Sequence, residues 1–482
     1  MSNIPETLRL ELRALLGVEH VVESGESLQT LSKDFYWYSP VLKRQLDDKV
    51  ADLVARPGTL DQLKGVIAAC FLAGVPVVPR GGGTGNYGQC IPLYGGVVVD
   101  LARLDRILSL DAGVVRAEPG ARLGTIEPAA RAVGWELRCM PSTWVKSSLA
   151  GFFCGGSGGI GSITWGGINA GDNVKSVTVM TCEAEPRLLK LEERDAIKAL
   201  HTYGTTGFLV EIEMRLAPKI DYDQVILSAP DWEALLAWTD AAARRGGWRK
   251  RLVTQFQWPI PSYFKPLAKY FRPGEHVSFL LIDRAQTSEV VASAEAAGLA
   301  VVFRQPLADP PKPPFITDYT WNHTTLWAMN SEPTLTYLQV GYGENFREQF
   351  AELERRFPGE ILQHLEWVAG NSKMMRNSSE AATPSPASVV VGAIPLVFFK
   401  TEARLNEIIA ACREIGVGVA NPHTFVLEEG GRHPNIAEKR ALKDAVDPKG
   451  LLNPGKMKSY LRNPFDPAAE AIAAAAIAAE TN

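Results

Sequence analysis

The chain has 482 residues, is 46% hydrophobic and 22% charged, and carries a net charge of −4. That is the composition of a soluble globular protein with length for about three domains. The near-neutral balance, with no long run of one sign, excludes a general nucleic-acid or anionic-membrane binder.

Residues 1–16 place Glu6, Arg9, Glu11 and Arg13 among leucines, which predicts an amphipathic helix rather than a signal peptide. They open an N-terminal helical segment, 1–49. The longest apolar run, 66–78, is too short to span a bilayer and is broken by Gly74 and Pro76, so a cytoplasmic protein with no transmembrane segment is expected. Six cysteines, none in a C-x-x-C pair, predict free thiols in a reducing compartment, and no zinc or iron–sulfur site.

A first unit is expected over 50–218. Thr59 and Gln62 form a capping-box pattern, and Leu60, Leu63, Val66, Ile67, Cys70 and Phe71 follow at helical spacing up to Gly74. Short strands are predicted at 75–78, 96–100, 114–117 and 208–216, and a helix at 126–133 that stops at Gly134. A second unit, 219–417, is expected to be an antiparallel sheet with helices on one face. Its helices are predicted at 232–243 and 289–297, and its strands at 277–282, 299–303 and 335–340. The proline-rich stretches 308–314 and 382–387 are predicted loops, because proline lacks the donor a ladder needs. A C-terminal segment, 418–465, carries a helix at 436–446 and a Pro/Gly turn series at 447–456, and returns to the first unit. The tail from Pro467 is read as frayed or disordered. The fold class expected is α+β.

Glycine is the unusual residue: 20 of the 42 glycines fall between Gly81 and Gly171. The loop 79–89 follows a strand and contains Gly83, Gly85 and Gly88 in G-x-G-x-x-G spacing, with Asp100 ending the next strand. This matches a dinucleotide-binding pattern, but such a loop must open a crossover helix. Only residues 89–95, including Pro92, are left for it. A loop that offers consecutive main-chain N–H groups to an anion is the better reading. A second cluster of small residues spans 147–162 and continues to 173, and a third is Tyr203–Gly207. Three such clusters between strands suit one extended ligand with a phosphate group and a planar ring system.

These segments resemble, in order, the vanillyl-alcohol oxidase / p-cresol methylhydroxylase family of FAD-dependent oxidoreductases. Loop 79–89 resembles its pyrophosphate loop, 97–105 the strand that follows, and 115–120 its V-x-x-x-P-G segment. Pro141 and Ser142, 148–151 and 158–162 resemble its second flavin-binding stretch, and 204–212 its third. Residues 447–456 resemble the C-terminal signature of the glycolate oxidase/D-lactate dehydrogenase branch. The resemblance implies a two-part PCMH-type FAD-binding domain at 50–218 and an α+β substrate domain. It implies cofactor contacts from Arg80, Gly81, Gly82, Gly83, Thr84, Gly85 and Asn86. Further contacts would come from Pro141, Ser142, Ser148, Gly151, Gly155 and Gly158, then Gly161, Ser162 and Trp165, and finally Gly207, Val210 and Ile212. Thr84 stands where some relatives tether the flavin through histidine, and the pattern around Cys139 is not that of a tethering cysteine, so the FAD is expected to be non-covalent. The metal motif of the D-2-hydroxy-acid branch is missing: 341–345 lacks its histidines, and 427–432 lacks the Glu-His-Gly segment.

Oxidation by a flavin removes a hydride and a proton, which calls for a base or a charge-stabilising group. His323, within an aromatic stretch holding Tyr319, Trp321 and Trp327, is a candidate, as are His423 and Arg432. Each has a structural reading as well: a satisfied buried histidine, a surface ion pair, core aromatics. The aromatic surroundings point to an apolar or aromatic alcohol, with a 2-hydroxy acid as the alternative. The function expected is an FAD-dependent oxidase or dehydrogenase acting on a CH–OH group of a small molecule. The alternatives are a nicotinamide-dependent dehydrogenase using Gly83, Gly85 and Gly88, and a flavoprotein subunit of an electron-transfer complex. An electron-acceptor protein or a second copy of the chain are the possible partners.

Overall fold

The computed structural model describes residues 4–156, 158–170, 172–370, 388–431, 435–460 and 462–466. The predicted loop 382–387, the tail from Pro467, Arg432 and Gly171 lie outside the described residues.

The helix Glu6–Leu16 buries Leu8, Leu12 and Leu16 on one face. In helix Leu60–Ala73, Thr59 Oγ1 accepts from Gln62 N at 3.1 Å, while Gln62 Oε1 reaches back to Gly58 N at 2.8 Å rather than to the cap itself. Gly74 ends that helix at φ +65°, a left-handed angle that suits glycine. Both helices lie against a four-stranded sheet in the order Val21–Val22, Leu53–Ala55, Val97–Asp100, Val77–Arg80. The last three strands are parallel. Residues 81–96 thus join two adjacent parallel strands with no helix between them, as the lack of room for a crossover helix required. The first strand comes from segment 1–49, which is therefore more than helical.

A second sheet of this half is antiparallel. Its path is Ile107–Asp111, Val114–Ala117, Phe208–Pro218, Val174–Met180, Leu188–Glu192, with Trp135–Leu137 pairing on Phe208–Pro218. The expected helix near 126–133 forms as Leu123–Ala132.

The other half is an antiparallel eight-stranded sheet. Its central strands, Tyr222–Ala229, His276–Asp283, Lys250–Phe256 and His364–Ala369, are buried almost throughout. Helices Trp232–Arg244, Thr287–Ala296, Phe346–Arg356 and Glu402–Glu414 contribute to one core cluster against it. The architecture is α+β. One predicted strand divides: 335–340 breaks at Leu338, whose N–H donates to Pro395 O. Leu335–Tyr337 then pairs in a small three-stranded sheet, and Gln339–Gly341 in the large one. Residues 307–314 carry no strand. The C-terminal segment contributes strand Gly418–Ala420 to the large sheet and a bridge from Leu452 to Val77 in the first.

Buried charges join the halves. Arg251, from the large sheet, meets Glu127 at 2.9 Å and donates to Leu137 O at 3.0 Å. Arg131 meets Glu136 at 2.6 Å, and Tyr222 Oη donates to Glu136 at 2.6 Å. Burial alone would push the Glu136 carboxyl up; Arg251 and Arg131 work against it.

Candidate functional site

The glycine loop leaves strand Val77–Arg80 and runs against the turn at 146–148. A Cβ on Gly82 would lie 2.5 Å from Lys146 O and 3.2 Å from Ser147 Cα, both main-chain atoms that cannot give way. Gly83 has φ +63°. Small hydroxyl side chains tie the two segments together: Ser148 Oγ, the cap of helix Leu149–Gly155, accepts from Gly82 N at 3.2 Å and from Gly151 N at 3.1 Å. Thr84 Oγ1 lies 2.9 Å from Ser147 Oγ. Gln89 Nε2 donates to Gly155 O at 2.9 Å and so bridges the loop to the end of that helix.

Two cavities open on these segments. The smaller, about 80 Å³, lies among Arg80, Gly81–Gly85, Gly151, Cys154, Gly155, Gly204 and Gly207. The larger, about 470 Å³, continues from it, because Thr84, Gly85, Gln89, Gly151 and Gly155 line both. It passes Asn86, Pro141, Ser142 and Gly158, and ends on the large sheet at Val340, Ile394 and Val419. Together they make one elongated space: main chain and glycine at one end, side chains at the other.

The side-chain end holds Trp321, His323, Asp318 and Glu366. Trp321 has φ +52°, a strained angle for a bulky residue. Its N–H donates to Glu366 Oε1 at 2.9 Å, and its ring faces Gly158, where a Cβ would sit 2.7 Å from Cη2. Burial pushes the His323 imidazole down to about 4, against a hydrogen bond to the Asp318 main chain, so the ring is neutral near pH 7. Burial pushes the Asp318 carboxyl up to about 6. Glu366 is also raised by burial, against the hydrogen bond from His364.

Several residues named from the sequence lie elsewhere. His423 is not at the cavity: Nδ1 pairs with Ser39 Oγ and Nε2 with Tyr337 O, both at 2.8 Å, which makes it a satisfied buried histidine. Tyr319 and Trp327 stack on each other at 5.3 Å outside the lining, and Trp327 Nε1 donates to Asp318 O. Trp165 lies under the Arg138 guanidinium, 4.6 Å from its ring, away from both cavities. Gly161 and Ser162 stand behind the wall, with Gly161 N donating to Arg251 O and Ser162 Oγ accepting from Gly159 N. Ile212 is fully buried and paired with Ala117. Val210 marks a bulge, where the ladder to Val174–Met180 shifts register.

Other residues at the site were not singled out from the sequence: Asp34 gave no motif, while Asn453 and Lys456 lie within the C-terminal signature 447–456. Asp34 accepts from Gln89 N at 2.7 Å and Tyr36 N at 3.0 Å beneath the glycine loop. Burial raises its carboxyl, and the facing Lys456 ammonium opposes that. Lys456 Nζ donates to Gly88 O at 2.6 Å, and Asn453 Nδ2 donates to Gln89 O and Tyr203 O at 2.9 and 2.6 Å. The C-terminal turn series thus fastens the first glycine loop to the third cluster. The six cysteines are unpaired; Cys139 is buried and pushed up to about 12 by burial, while Cys154 lines the smaller cavity. Among the described residues no group of three or more His, Cys, Asp or Glu side chains gathers as a metal site would need. No helix of the described residues is long and apolar enough to cross a membrane.

Residues 51–188 match the FAD binding domain family. The chain is similar to glycolate oxidase subunit GlcD of Escherichia coli, 29% identical over 37% of this chain and 37% of that protein. It is also similar to D-2-hydroxyglutarate dehydrogenase of Xanthomonas citri, 28% identical over 38% of this chain and 40% of that one. The matched regions span about two fifths or less of these relatives' lengths. An alkyldihydroxyacetonephosphate synthase shares the fold over 94% of this chain and 85% of its own, at a TM-score of 0.68 and 14% identity. The chain therefore carries an FAD-binding domain of the kind found in FAD-linked oxidoreductases, and FAD is its cofactor.

The elongated space fits that cofactor on its own terms. Gly82 packs against the Lys146 main chain and Gly158 against the Trp321 ring, with no room for a Cβ at either, and both line the elongated space; a glycine loop held in this way can offer N–H groups to a phosphate.

Proposed function

We propose that the protein is an FAD-dependent oxidoreductase that oxidises a CH–OH group of a small molecule, with the FAD held non-covalently. The observation that carries this reading is the single space running from the glycine loop to a wall bearing Trp321, His323 and Asp318. Main chain at Gly81–Asn86 would hold the diphosphate, and Gly155, Gly158 and Trp321 would flank the ring. Bound FAD supplies a hydride acceptor. The chain's own part is to orient the substrate and receive the hydroxyl proton. His323, at the cavity and held neutral by burial, is the ring placed to accept it, and the same burial that keeps it unprotonated disfavours the charged imidazole. The apolar floor of Val340, Ile394 and Val419 would hold the substrate body, an apolar or aromatic alcohol or the side chain of a 2-hydroxy acid. The similarity to glycolate oxidase and D-2-hydroxyglutarate dehydrogenase supports hydroxyl oxidation. The order of the flavin motifs supports membership of the vanillyl-alcohol oxidase / p-cresol methylhydroxylase family.

An electron-acceptor protein is the partner we favour, because the Escherichia coli relative is by name a subunit. Six unpaired thiols suit the cytoplasm. The test is a panel of alcohols and 2-hydroxy acids added anaerobically to the purified yellow protein. Bleaching of the flavin by one class supports the reading; a colourless protein that takes up no FAD, or a flavin no member reduces, sinks it.

A further inference from the structure

Glu366 is a carboxylate at the side-chain end whose place in the fold is not explained by packing. It lies on a central strand, 1% exposed, yet lines the larger cavity. Oε1 is used twice, by Trp321 N at 2.9 Å and by His364 Nε2 at 3.0 Å. Oε2 has no hydrogen-bond partner by geometry: the neighbouring Thr254 hydroxyl, which helps to lower the carboxyl, donates to Leu365 O at 2.8 Å. A buried carboxylate oxygen left unpaired costs about 1–3 kcal/mol or more, so such an atom calls for a partner from outside the chain. Its surroundings narrow what that partner is. Asp318, a second carboxyl, lines the same cavity, and the floor is Val340, Ile394 and Val419. Among the described lining residues the cationic side chain is Lys146, which is exposed.

A substrate hydroxyl can donate to an unpaired carboxylate oxygen. A substrate carboxylate brought to the same place would meet the Glu366 carboxylate over an apolar floor, in a cavity that Asp318 also lines, and like charges in a low-dielectric site repel strongly. We infer that Glu366 is a specificity-determining residue: its free oxygen receives the hydroxyl of an uncharged, apolar-bodied alcohol and turns away the matching 2-hydroxy acid. This rests on the function proposed above, which leaves both classes open.

The test uses a matched pair with one aromatic body, benzyl alcohol and mandelate, on the FAD-loaded protein. Binding is read by calorimetry, and turnover separately by anaerobic flavin bleaching. Benzyl alcohol should bind at least tenfold tighter than mandelate. Glu366→Gln, similar in size and uncharged, should shrink that ratio at least fivefold by tightening mandelate, with the FAD absorbance retained. Mandelate binding as tightly as benzyl alcohol to the wild type overturns the inference, as does an unchanged ratio in a folded Glu366→Gln.

If Glu366→Gln does not fold, the wild type decides. Glu366 faces His364 on its own strand, Thr254 on the neighbouring strand and the Trp321 main chain, with Asp318, His323 and Lys146 on the cavity. Lowering the pH protonates its carboxyl, which removes both the charge that repels mandelate and the charged acceptor that holds the alcohol, so the preference for benzyl alcohol should shrink; a preference unchanged with pH overturns it. Should the preference hold in calorimetry while no member of the alcohol and 2-hydroxy-acid panel bleaches the flavin, the oxidation reading fails and the binding preference stands.

Discussion

On the glycine-loop side of the cavity the surface is main chain, and on the sheet side it is side chain. The first is built by subtraction: Gly82 is glycine because Lys146 O leaves no room for anything else. The second is built by delivery, as strand His364–Ala369 and helix Asn322–Ser331 bring Glu366, Trp321 and His323 together from separate parts of the chain. A main-chain wall suits a cofactor with a fixed shape, because it is rigid and its N–H groups are always donors. A side-chain wall can change chemistry without changing the fold.

If the two walls are separate devices, the joint between them should matter for stability and little for cofactor chemistry. Arg251→Met leaves Glu127 and Glu136 buried without that partner. Breaking a buried pair from one side costs about 3–5 kcal/mol, the largest effect expected, and urea unfolding measures it. The protein that remains folded should still be yellow; a variant that keeps full stability would show that the halves are held by something else.

The main-chain wall is tested by filling it. Gly82→Val should weaken FAD at least 100-fold, about 3 kcal/mol, read by flavin retained after gel filtration. Normal retention would show that the loop is not where the cofactor lies. A change on the sheet side, such as Glu366→Gln, should leave retention intact.

A buried histidine away from the cavity gives a pH signature of its own. His423 is held near 4 against an ordinary 6.5, because burial disfavours its charged form. Between those values the unfolded chain binds a proton that the folded chain refuses. Its contribution is therefore complete above pH 6.5 and lost as the pH falls toward 4. From pH 7 to 5 the loss is about 2 kcal/mol. Urea unfolding at the two pH values should show it, and His423→Gln should reduce the difference by that amount. An unchanged difference would place the pH sensitivity elsewhere.

The same contrast decides what could be read from the sequence. Glycines that make a wall are adjacent in the chain, so the loop 79–89 and the ban on a crossover helix were legible, as was the α+β layering from strand and helix periods. His423 looked as eligible as His323, because only the fold shows that Ser39 and Tyr337 occupy both its nitrogens. Tyr319 and Trp327 stack with each other, which no spacing rule separates from lining a pocket. Glu366 had no signal at all: it is a glutamate in a strand, significant only because Trp321 arrives from elsewhere to bond it.

The smallest effect tests the one place where the C-terminus serves the main-chain wall. Asn453, 1% exposed, spans the gap between the first and third glycine clusters by donating to Gln89 O and Tyr203 O. Asn453→Ala removes both bonds and leaves two carbonyls without that donor, a cost of about 1–3 kcal/mol. Neither carbonyl belongs to the sheet-side wall, so the cost should fall on the cofactor. FAD affinity should drop about tenfold, or about 1.4 kcal/mol, in a fluorescence titration, while the preference between benzyl alcohol and mandelate stays as in the wild type. A variant that binds FAD normally but loses that preference would mean that the two walls act as one, because a change made wholly on the main-chain side would then have reached the side chains opposite.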